Sequence, residues 1–395
     1  MNIVRRTLHW GPLLALFIIF TISAMSIICD MMWWPVSAPG GTINLIVYVM
    51  WLYLTLYNFF CAMGIGPGHV PYGWKPDDPK DIKYLQFCKV CQGYKSPRSH
   101  HCRKCNRCVM KMDHHCPWIN NCCGHMNHAR FTYFLFFAPL GCIHSLCILI
   151  PSLYHAMNRP YYFYYGDGTE PVINLDVWSF LIGIFSVGLA VGVIVAVGGL
   201  GFLQLKSILK NETGIESWII EKAYYIDRTV EEGEFVYPYY LGMWRNLRQV
   251  FTWSGYPVSD GFTWDVKEGC NQYTLTIEQM RQKEDKKDRS IEYTIIEDYS
   301  GRWCPITKGC RVICCPPFTD EPRIKLNIGD RLLVTRWKKH WLYGDKILDK
   351  QQKDLGVSRL RGWFPRRCAV EFVNNGCSYP DLTKLKQRAE KKKLS

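Results

Sequence analysis

One cysteine-rich stretch, Cys88 to Phe131, combines residue types that bind metals with residue types that act as nucleophiles. It holds eight of the 19 cysteines, and five of the 11 histidines fall between His100 and His125. Six of these cysteines and two of these histidines would complete two tetrahedral Zn²⁺ sites of the Cys3His type. Cys116 is then left without a metal. A metal-free thiol flanked by His114 is the candidate for covalent chemistry.

The candidate metal ligands lie at short, loop-closing spacings. They are Cys88, Cys91, His101, Cys102, Cys105, Cys108, His115 and Cys122. Cys123 is interpreted as a bystander, because both sites are full without it. Clustering at metal spacings, in place of a scattered disulfide framework, favours a reducing compartment such as the cytosol.

The tetrapeptide Asp113-His114-His115-Cys116 lies at the centre of the stretch. A free cysteine with a pKa of about 8.5 is only a few per cent thiolate at pH 7, so a neighbouring base is needed. Residues two apart in an extended segment project to the same side. His114 should therefore share a face with Cys116, while His115 points to the other face, toward a metal. Asp113 can reach His114 only if the chain turns there.

Four long runs without Asp, Glu, Lys or Arg predict four transmembrane helices. They are Gly11–Cys29, Thr42–Met63, Phe131–Met157 and Val177–Leu205. A helix rising 1.5 Å per residue needs about 20 apolar residues to cross a bilayer, and the alternative of four buried helices in a soluble core is disfavoured. Glycines in the fourth run predict close packing with neighbouring helices. These are Gly183, Gly188, Gly192, Gly198, Gly199 and Gly201.

The distribution of Lys and Arg predicts the orientation of these spans. Residues 30–41 contain neither, and the loop between spans three and four contains only Arg159, whereas residues 64–130 contain 11. Arg5 and Arg6 lie at the amino end, and no signal-peptide cleavage site follows them. Both termini and the cysteine-rich loop are thus predicted to face the cytosol. No span carries paired charges at mid-depth, so a transporter is not favoured, and no nucleic-acid partner is predicted.

The predicted fold class is an α-helical polytopic membrane protein with four transmembrane helices, a cytosolic zinc-binding cysteine-rich domain and a C-terminal all-β barrel. The predicted domains are residues 1–63 (N-terminus and spans one and two), 64–130 (cysteine-rich loop with core 88–122), 131–205 (spans three and four), 206–290 (juxtamembrane segment and linker), 291–373 (barrel) and 374–395 (basic tail). Within residues 211–280 we expect helices near the membrane surface, and within residues 281–289 a charged linker.

Short β-rich segments separated by turns predict the small barrel between residues 291 and 372. It resembles a Src-homology-3 (SH3) domain. The residues that carry the resemblance are Glu297-Asp298-Tyr299, Trp341 and Pro365. Glu297 and Cys368 stand where that family has groove tyrosines, and residues 303–319 form an insertion. Because recognition of proline-rich peptides needs an aromatic groove, the barrel's partner stays open, and an intramolecular or regulatory role is favoured.

The cysteine-rich stretch, taken as an ordered series, resembles the DHHC family of protein S-acyltransferases. The series runs Cys88-x2-Cys91-x9-His101-Cys102-x2-Cys105-x2-Cys108-x4-Asp113-His114-His115-Cys116-x5-Cys122-x4-Asn127-x3-Phe131. The resemblance extends along nearly the whole chain to an endoplasmic-reticulum subgroup with a C-terminal SH3 domain. It implies a protein-cysteine S-palmitoyltransferase that moves a fatty acyl group from acyl-CoA to its own cysteine and then to cysteines of target proteins, mostly membrane proteins.

The same resemblance implies a role for each site residue. Cys116 would be the nucleophile that carries the acyl group, His114 the base and Asp113 the residue that orients it. Trp118 would line the acyl-chain entrance. The two structural Zn²⁺ ions would be held by Cys88, Cys91, His101 and Cys108 and by Cys102, Cys105, His115 and Cys122. Basic residues around the loop could meet CoA phosphates, although the cytosolic bias toward positive charge explains them equally well. They are Lys89, Lys95, Arg98, Arg103, Lys104 and Arg107.

Supporting motifs depart from the family pattern in two places. The family's Thr-Thr-x-Glu is Thr213-Gly214-Ile215-Glu216 here, and the resemblance implies that Thr213 and Glu216 still anchor the zinc domain near the membrane. Asn246 is implied to bond backbone groups near the active site. Gly66-Pro67-Gly68 replaces Asp-Pro-Gly, which removes a carboxylate.

An alternative function stays open at this point. The chain could be a membrane-tethered scaffold, although a scaffold does not need Cys116.

The C-terminal third carries two further predictions. Lys392 and Lys393 resemble a dilysine signal, which predicts the endoplasmic-reticulum membrane as the address. Five cysteines of the last third are either ordinary thiols or sites acylated by another enzyme. They are Cys304, Cys310, Cys314, Cys315 and Cys368.

Overall fold

The structure is a computed structural model that describes residues 3–226, 228, 233–319, 321–348 and 360–372. The chain divides into two compact units, Met1–Gln279 and Met280–Ser395. The basic tail with Lys392 and Lys393 lies outside the described residues.

Helices form most of the first unit. They are α1 (Ile3–Thr7), α2 (Trp10–Trp33), α3 (Gly41–Ile65), α4 (His128–Met157), α5 (Arg159–Tyr165), α6 (Val177–Lys210), α7 (Gly214–Tyr225), α8 (Met243–Val250) and α9 (Thr274–Asp288). Among the described residues, four helices are long and apolar enough to cross a membrane: α2, α3, α4 and α6. The prediction of four spans is confirmed.

The spans pack around α4, which contacts α2, α3 and α6. A Cβ on Gly183 would lie 2.7 Å from the Leu153 side chain, and one on Gly201 would lie 3.2 Å from the Leu135 carbonyl oxygen. These glycines allow α6 to approach α4 closely. Gly188, by contrast, has no neighbour within 4 Å of such a Cβ. The predicted glycine packing therefore holds at only some of the six positions.

Polar side chains join three spans at the end away from the cysteine-rich loop. Asn44 donates to Asp30 at 2.6 Å and pairs with His144 at 3.1 Å. Tyr48 and Ser145 share a hydrogen bond of 3.0 Å between α3 and α4. Polar groups with partners of this kind are tolerated within a membrane.

Three two-stranded antiparallel hairpins build the cysteine-rich loop. They pair β1 (Phe87–Cys88) with β2 (Gly93–Tyr94), β3 (His100–Cys102) with β4 (Arg107–Val109), and β5 (His114–Cys116) with β6 (Asn121–Cys123). The loop follows α3, which ends at Gly66 with φ +77°, a backbone conformation that glycine adopts without strain. Such short strands cannot fold on their own, so other contacts must hold the loop.

The segment after α6 is less helical than expected. α7 and α8 are short, and residues 251–273 have no regular secondary structure. Tyr239 and Trp264 are buried there with residues of α7. Residues 281–288, expected to be a charged linker, are the second half of α9.

The second unit is a five-stranded antiparallel sheet with the order β10-β9-β8-β7-β11. Its strands are β7 (Ile291–Ile295), β8 (Arg331–Lys338), β9 (Trp341–Lys346), β10 (Arg361–Pro365) and β11 (Ala369–Glu371), and the short helix α10 covers Cys310–Cys314. Around Leu326 the chain forms only an isolated bridge to Tyr299. Trp341, Tyr343, Phe364 and Ile295 lie in one buried core.

Candidate active site and metal centres

Two clusters in the loop have the geometry of metal sites. Cys88, Cys91, His101 and Cys108 form one cluster, and Cys102, Cys105, His115 and Cys122 form the other; within each, the ligand atoms lie within 4.8 Å of one another. His115 Nδ1 lies 3.6, 3.4 and 3.6 Å from the Sγ atoms of Cys102, Cys105 and Cys122. A tetrahedral Zn²⁺ with ordinary bond lengths would separate N and S by about 3.6 Å. The donor sets therefore fit Zn²⁺.

The two clusters share β3. His101 contributes to the first and Cys102 to the second. Neighbouring residues of a strand point to opposite sides, so one strand supplies both metals. The two metal sites would therefore stabilise the same cysteine-rich loop together.

Cys116 ends β5, and the register of that hairpin decides what surrounds it. His115 pairs with Cys122 and His114 pairs with Cys123. The metal ligands His115 and Cys122 therefore lie on one face of the hairpin. His114, Cys116 and Cys123 lie on the other face, as the alternation in the sequence predicts for the first two. Cys116 is buried, with 5% of its surface exposed.

Asp113 links His114 to the start of α7. Its Oδ2 lies 2.8 Å from His114 Nδ1, and its Oδ1 accepts the backbone N–H of Gly214 at 2.6 Å. Gly214 is the first residue of α7, where free N–H groups favour an anion. Asp113 lies just before β5 and can therefore depart from the strand alternation. With Nδ1–H donating to Asp113, the other ring nitrogen of His114 can exchange a proton with the Cys116 sulfur, to which His114 also bonds.

Hydrogen bonds around Cys116 favour its thiolate form. The pKa of Cys116 is lowered to about 5, because the Cys123 thiol, and after it His114, bond to the sulfur. Burial is the largest single influence and lowers the pKa of His114, but the hydrogen bonds to Asp113 and Cys116 and the charges of these two groups together raise the value to about 10. Burial keeps the pKa of Cys123 well above its usual range, so Cys123 remains a thiol that can donate. Sequence reasoning treated Cys123 as a bystander; the hairpin register is the signal that could have placed it here.

Packed apolar side chains extend from Cys116 into the spans, and this run of side chains is called the apolar path below. Cys116 belongs to a buried cluster that includes Ala15, Phe131 and Ala138, with Ile19 and Val193 packed against it. Ala138, Ile19 and Val193 also line a cavity of about 50 Å³ between the helices. Tyr48 and Ser145 line the same cavity farther along the spans.

Trp118 lies at the surface beside this path, with 39% of its surface exposed. Its ring lies 5.8 Å from that of Trp10, edge to face. Its role at the acyl-chain entrance stays a prediction.

Thr213 and Glu216 form a capping box at the start of α7. Glu216 also pairs with Arg98 of the cysteine-rich loop through two hydrogen bonds of 2.7 Å, and both side chains are fully buried. Arg98 is therefore unavailable to CoA, and its inclusion among the candidate phosphate-binding residues is wrong. The burial of the pair instead fixes the loop to α7.

Asn211, which sequence reasoning missed, joins the same contacts at the end of α6. Its Oδ1 accepts from Arg98 at 3.1 Å and from Lys111 at 2.9 Å, and its Nδ2 donates to the Tyr239 carbonyl at 2.7 Å. Asn246 bonds to backbone groups of α6 and of the segment before α8, and not to Cys116. It donates to the Leu209 carbonyl at 2.7 Å and accepts from Leu241 N–H at 3.1 Å, so it holds α8 to α6.

Comparison with known proteins agrees with this site. The family described as DHHC palmitoyltransferase matches residues 81–221. The chain is 51% identical over 383 residues to Palmitoyltransferase ZDHHC6 of Bos taurus, covering 92% of this chain and 91% of that protein. The chain belongs to the DHHC palmitoyltransferases. It is a membrane protein with protein S-acyltransferase activity, and both predictions are confirmed.

Other relatives show how far the similarity extends. Palmitoyltransferase ZDHHC6 of Danio rerio is 52% identical over 392 residues, with 95% of each chain covered. Palmitoyltransferase PFA4 of Mycosarcoma maydis is 33% identical over 233 residues, which cover 52% of this chain and 47% of that protein. Similarity to the ZDHHC6 proteins thus includes the C-terminal unit.

Proposed function

We propose that this DHHC palmitoyltransferase carries the acyl group on Cys116, taking it from acyl-CoA and passing it to cysteines of target proteins. The observation that carries the proposal is the position of Cys116. It lies on the hairpin face opposite the metal ligands, beside His114, at the end of an apolar path into the spans.

The transfer has two balanced halves. The Cys116 thiolate attacks the thioester carbonyl of acyl-CoA; a new C–S bond forms, the bond to the CoA sulfur breaks, and CoA leaves with the proton held by His114. A target thiol then gives its proton to His114 and attacks the acyl-enzyme, which releases Cys116. Asp113 keeps the His114 ring in position and stabilises its charged form.

Zn²⁺ has a structural role in this proposal. Each cluster uses four protein ligands, which leaves no open position for substrate. The ions would close the hairpins of a loop that is too small to fold by burial alone, with a contribution of about 10 kcal/mol each. They thereby hold β5 in the geometry that exposes Cys116 to the apolar path.

The length of the apolar path supports palmitoyl as the acyl group. Phe131, beside Cys116, and Ser145, at the far part of the cavity, are 14 residues apart on α4. At 1.5 Å per residue this is about 21 Å, close to the length of an extended 16-carbon chain. Each buried methylene contributes about 0.8 kcal/mol, so a chain that fills the path is favoured.

Several basic residues remain exposed or partly exposed on the cysteine-rich loop for the phosphates of CoA. They are Lys89, Lys95, Arg103 and Lys104. Arg107 donates to the Val70 carbonyl at 3.1 Å and lies over the Tyr72 ring, so it has a structural role as well.

The decisive experiment compares Cys116→Ser with Cys270→Ser, a control outside the site, in purified full-length protein. With labelled palmitoyl-CoA, we expect Cys116→Ser to keep two zinc ions and to lose the hydroxylamine-labile acyl group. Cys270→Ser should label as the wild type does. Normal labelling of Cys116→Ser would exclude Cys116 as the acyl carrier. The scaffold alternative would be favoured only by a different result, in which the wild-type protein fails to acylate a target.

The same proposal places the protein in the endoplasmic-reticulum membrane with both termini in the cytosol. The asymmetry of Lys and Arg between the loops supports the orientation, and Lys392 and Lys393 support the address. Replacing both lysines by serine should move a tagged protein out of the endoplasmic reticulum, as seen by microscopy. An unchanged distribution would remove the tail as the signal.

For the second unit we propose an SH3-like barrel whose ligand face is covered by its own insertion, residues 303–319. Trp341, at the groove position, is fully buried and donates its Nε1–H to the Val312 carbonyl at 3.2 Å. The Arg323 guanidinium lies 3.6 Å from the Trp303 ring centroid and 5.1 Å from that of Trp341. Val312 itself belongs to the buried core.

A covered groove predicts that proline-rich peptides do not bind, because their recognition needs exposed aromatic side chains. Fluorescence anisotropy of a labelled PxxP peptide with the full-length protein should show no saturable binding. Val312→Asp should uncover Trp341 and shift its emission to longer wavelength. Saturable binding to the wild-type protein at micromolar peptide would contradict the proposal.

A further inference from the structure

The amino end of α2 lies directly against the loop that follows Cys116. A Cβ on Gly11 would lie 2.1 Å from the carbonyl oxygen of Pro117 and 3.2 Å from the Cα of Trp118. A side-chain carbon cannot lie so close to a carbonyl oxygen to which it is not bonded. Any side chain at Gly11 would therefore displace the loop. The absence of a side chain at this position therefore sets how Pro117 and Trp118 lie against the first span.

Hydrogen bonds hold the same contact from the other side. Arg6 Nη1 and Asn121 Nδ2 both donate to the Met63 carbonyl, at 2.7 and 3.1 Å, and Asn120 Nδ2 donates to the Arg6 carbonyl at 3.3 Å. Met63 lies in the last turn of α3, where carbonyls lack helical partners and a cation is favoured. The amino end, the second span and the hairpin β5–β6 thus meet at one point.

Two tryptophans form the outer edge of this contact. Trp10 and Trp118 lie edge to face with ring centroids 5.8 Å apart, and 57% and 39% of their surfaces are exposed. One turn deeper, Ala15 belongs to the buried cluster that contains Cys116. The start of α2 therefore leads from an exposed aromatic pair to the nucleophile.

We propose that Gly11 and Trp10 are positioning residues for acyl transfer: Gly11 seats the loop after Cys116 against the first span, and Trp10 completes with Trp118 an apolar rim over which the acyl chain enters. This inference rests on the proposed function of Cys116. The CoA headgroup stays in water while the chain is buried, so every methylene of the chain passes this surface as the donor enters, and a palmitoyl chain presents many more of them than a butyryl chain does. Tryptophan is suited to such a boundary because its ring is apolar and its N–H stays near water.

A rim that contacts methylenes must matter more for long chains than for short ones. This separates it from a purely structural role, which would affect every donor equally. The test measures the initial rate of hydroxylamine-labile acylation of Cys116 in full-length protein, with palmitoyl-CoA and with butyryl-CoA, together with zinc content. The variants are Trp10→Ala, Trp10→Phe and Gly11→Ala. Gly188→Ala is the control, because a Cβ there has no neighbour within 4 Å.

We expect Trp10→Ala to lower the palmitoyl rate about tenfold, the loss of one aromatic contact, and to leave the butyryl rate nearly unchanged. Trp10→Phe should restore most of the palmitoyl rate. Gly11→Ala should lower both rates while two zinc ions are retained, and Gly188→Ala should behave as the wild type.

Equal palmitoyl rates in Trp10→Ala and wild type would overturn the rim, and so would equal losses with both donors. A wild-type rate in Gly11→Ala would overturn its positioning role. If Gly11→Ala loses zinc and fails to fold, the comparison of Trp10→Ala with Trp10→Phe decides alone. If wild type and Gly188→Ala both leave Cys116 unacylated, the proposed function fails instead.

Discussion

At the scale of single residues, the chemistry proposed for Cys116 would depend on groups from two strands and one helix. His114 lies on its own strand, Cys123 lies on the paired strand, and Gly214 at the start of α7 fixes Asp113. Gly214 stands where the family's motif has its second threonine, and its backbone N–H makes the contact with Asp113. A side chain was therefore not needed to hold the carboxylate.

Asp113→Asn tests this arrangement. An amide has one acceptor oxygen where the carboxylate has two, so it cannot serve both Gly214 N–H and His114 Nδ1–H. We expect the rate of Cys116 acylation to fall by about 10²-fold or more, as for loss of an oriented base. Asp77→Asn, at an exposed position, is the control. Single-turnover labelling measures both, and a change of less than twofold in Asp113→Asn would contradict the role.

Cys123 gives a second test at this scale. Cys123→Ser keeps a donor toward the Cys116 sulfur, whereas Cys123→Ala removes it. Loss of one hydrogen bond to a charged group is worth about 1.5–3 kcal/mol, so the alanine variant should acylate Cys116 at least tenfold more slowly than the serine variant. Titration with iodoacetamide at fixed pH provides an independent measure of thiolate reactivity. Equal rates in the two variants would return Cys123 to a packing role.

At the scale of elements, the loop is attached to the spans mainly by buried polar groups. Arg98 of the loop pairs with Glu216 of α7, and Asn211 at the end of α6 accepts from both Arg98 and Lys111. The Glu216 carboxyl is buried, but Arg98 holds its pKa below the usual range, so the pair is ionic. These contacts link zinc loop, span four and α7 into one body.

Glu216→Gln should be strongly destabilising, because it leaves the Arg98 charge buried without a counter-charge. The expected cost is about 3–5 kcal/mol. Lys210→Met, which breaks the exposed pair with Glu212, should cost less than about 1 kcal/mol. Thermal unfolding of the purified protein, followed by tryptophan fluorescence, compares the two. Similar unfolding temperatures in both variants would show that the buried pair does not hold the loop.

The cavity between the spans gives a prediction on chain length. Tyr48 from α3 lines it and bonds to Ser145 of α4. Tyr48→Ala removes the ring and should lengthen the apolar path, shifting donor preference from 16 carbons toward 18 or 20. Tyr48→Phe, which keeps the ring, is the matched control. Competition among acyl-CoA donors, read by mass spectrometry of the Cys116 peptide, gives the preference; an unchanged profile in Tyr48→Ala would place the end of the chain elsewhere.

The parts of the fold that the sequence could predict are those with a local period or spacing. Apolar runs identified the spans, and pairs such as Cys88-x2-Cys91 identified the metal clusters. Arg98, Asn211 and Cys123 were missed because their partners lie far along the chain or across a hairpin, and each residue type has many ordinary roles. The contact between Trp341 and the insertion was missed for the same reason. A segment that contains Cys and Pro has no sequence pattern that predicts which side chains it packs against.

At the scale of the whole molecule, the two metal clusters should keep or lose their metal ions together. His101 and Cys102 are neighbours on β3 but belong to different clusters, so release of one metal frees a strand that the other needs. Because each metal would supply about 10 kcal/mol of folding free energy to a loop with little core, Cys108→Ala should lose both ions. Metal analysis of the purified variant should give close to zero zinc per chain, with Cys116 no longer acylated. The spans also pack against one another, with α4 in contact with α2, α3 and α6, so far-UV circular dichroism should keep most of its helical signal. Retention of one zinc per chain would show that the clusters fold independently.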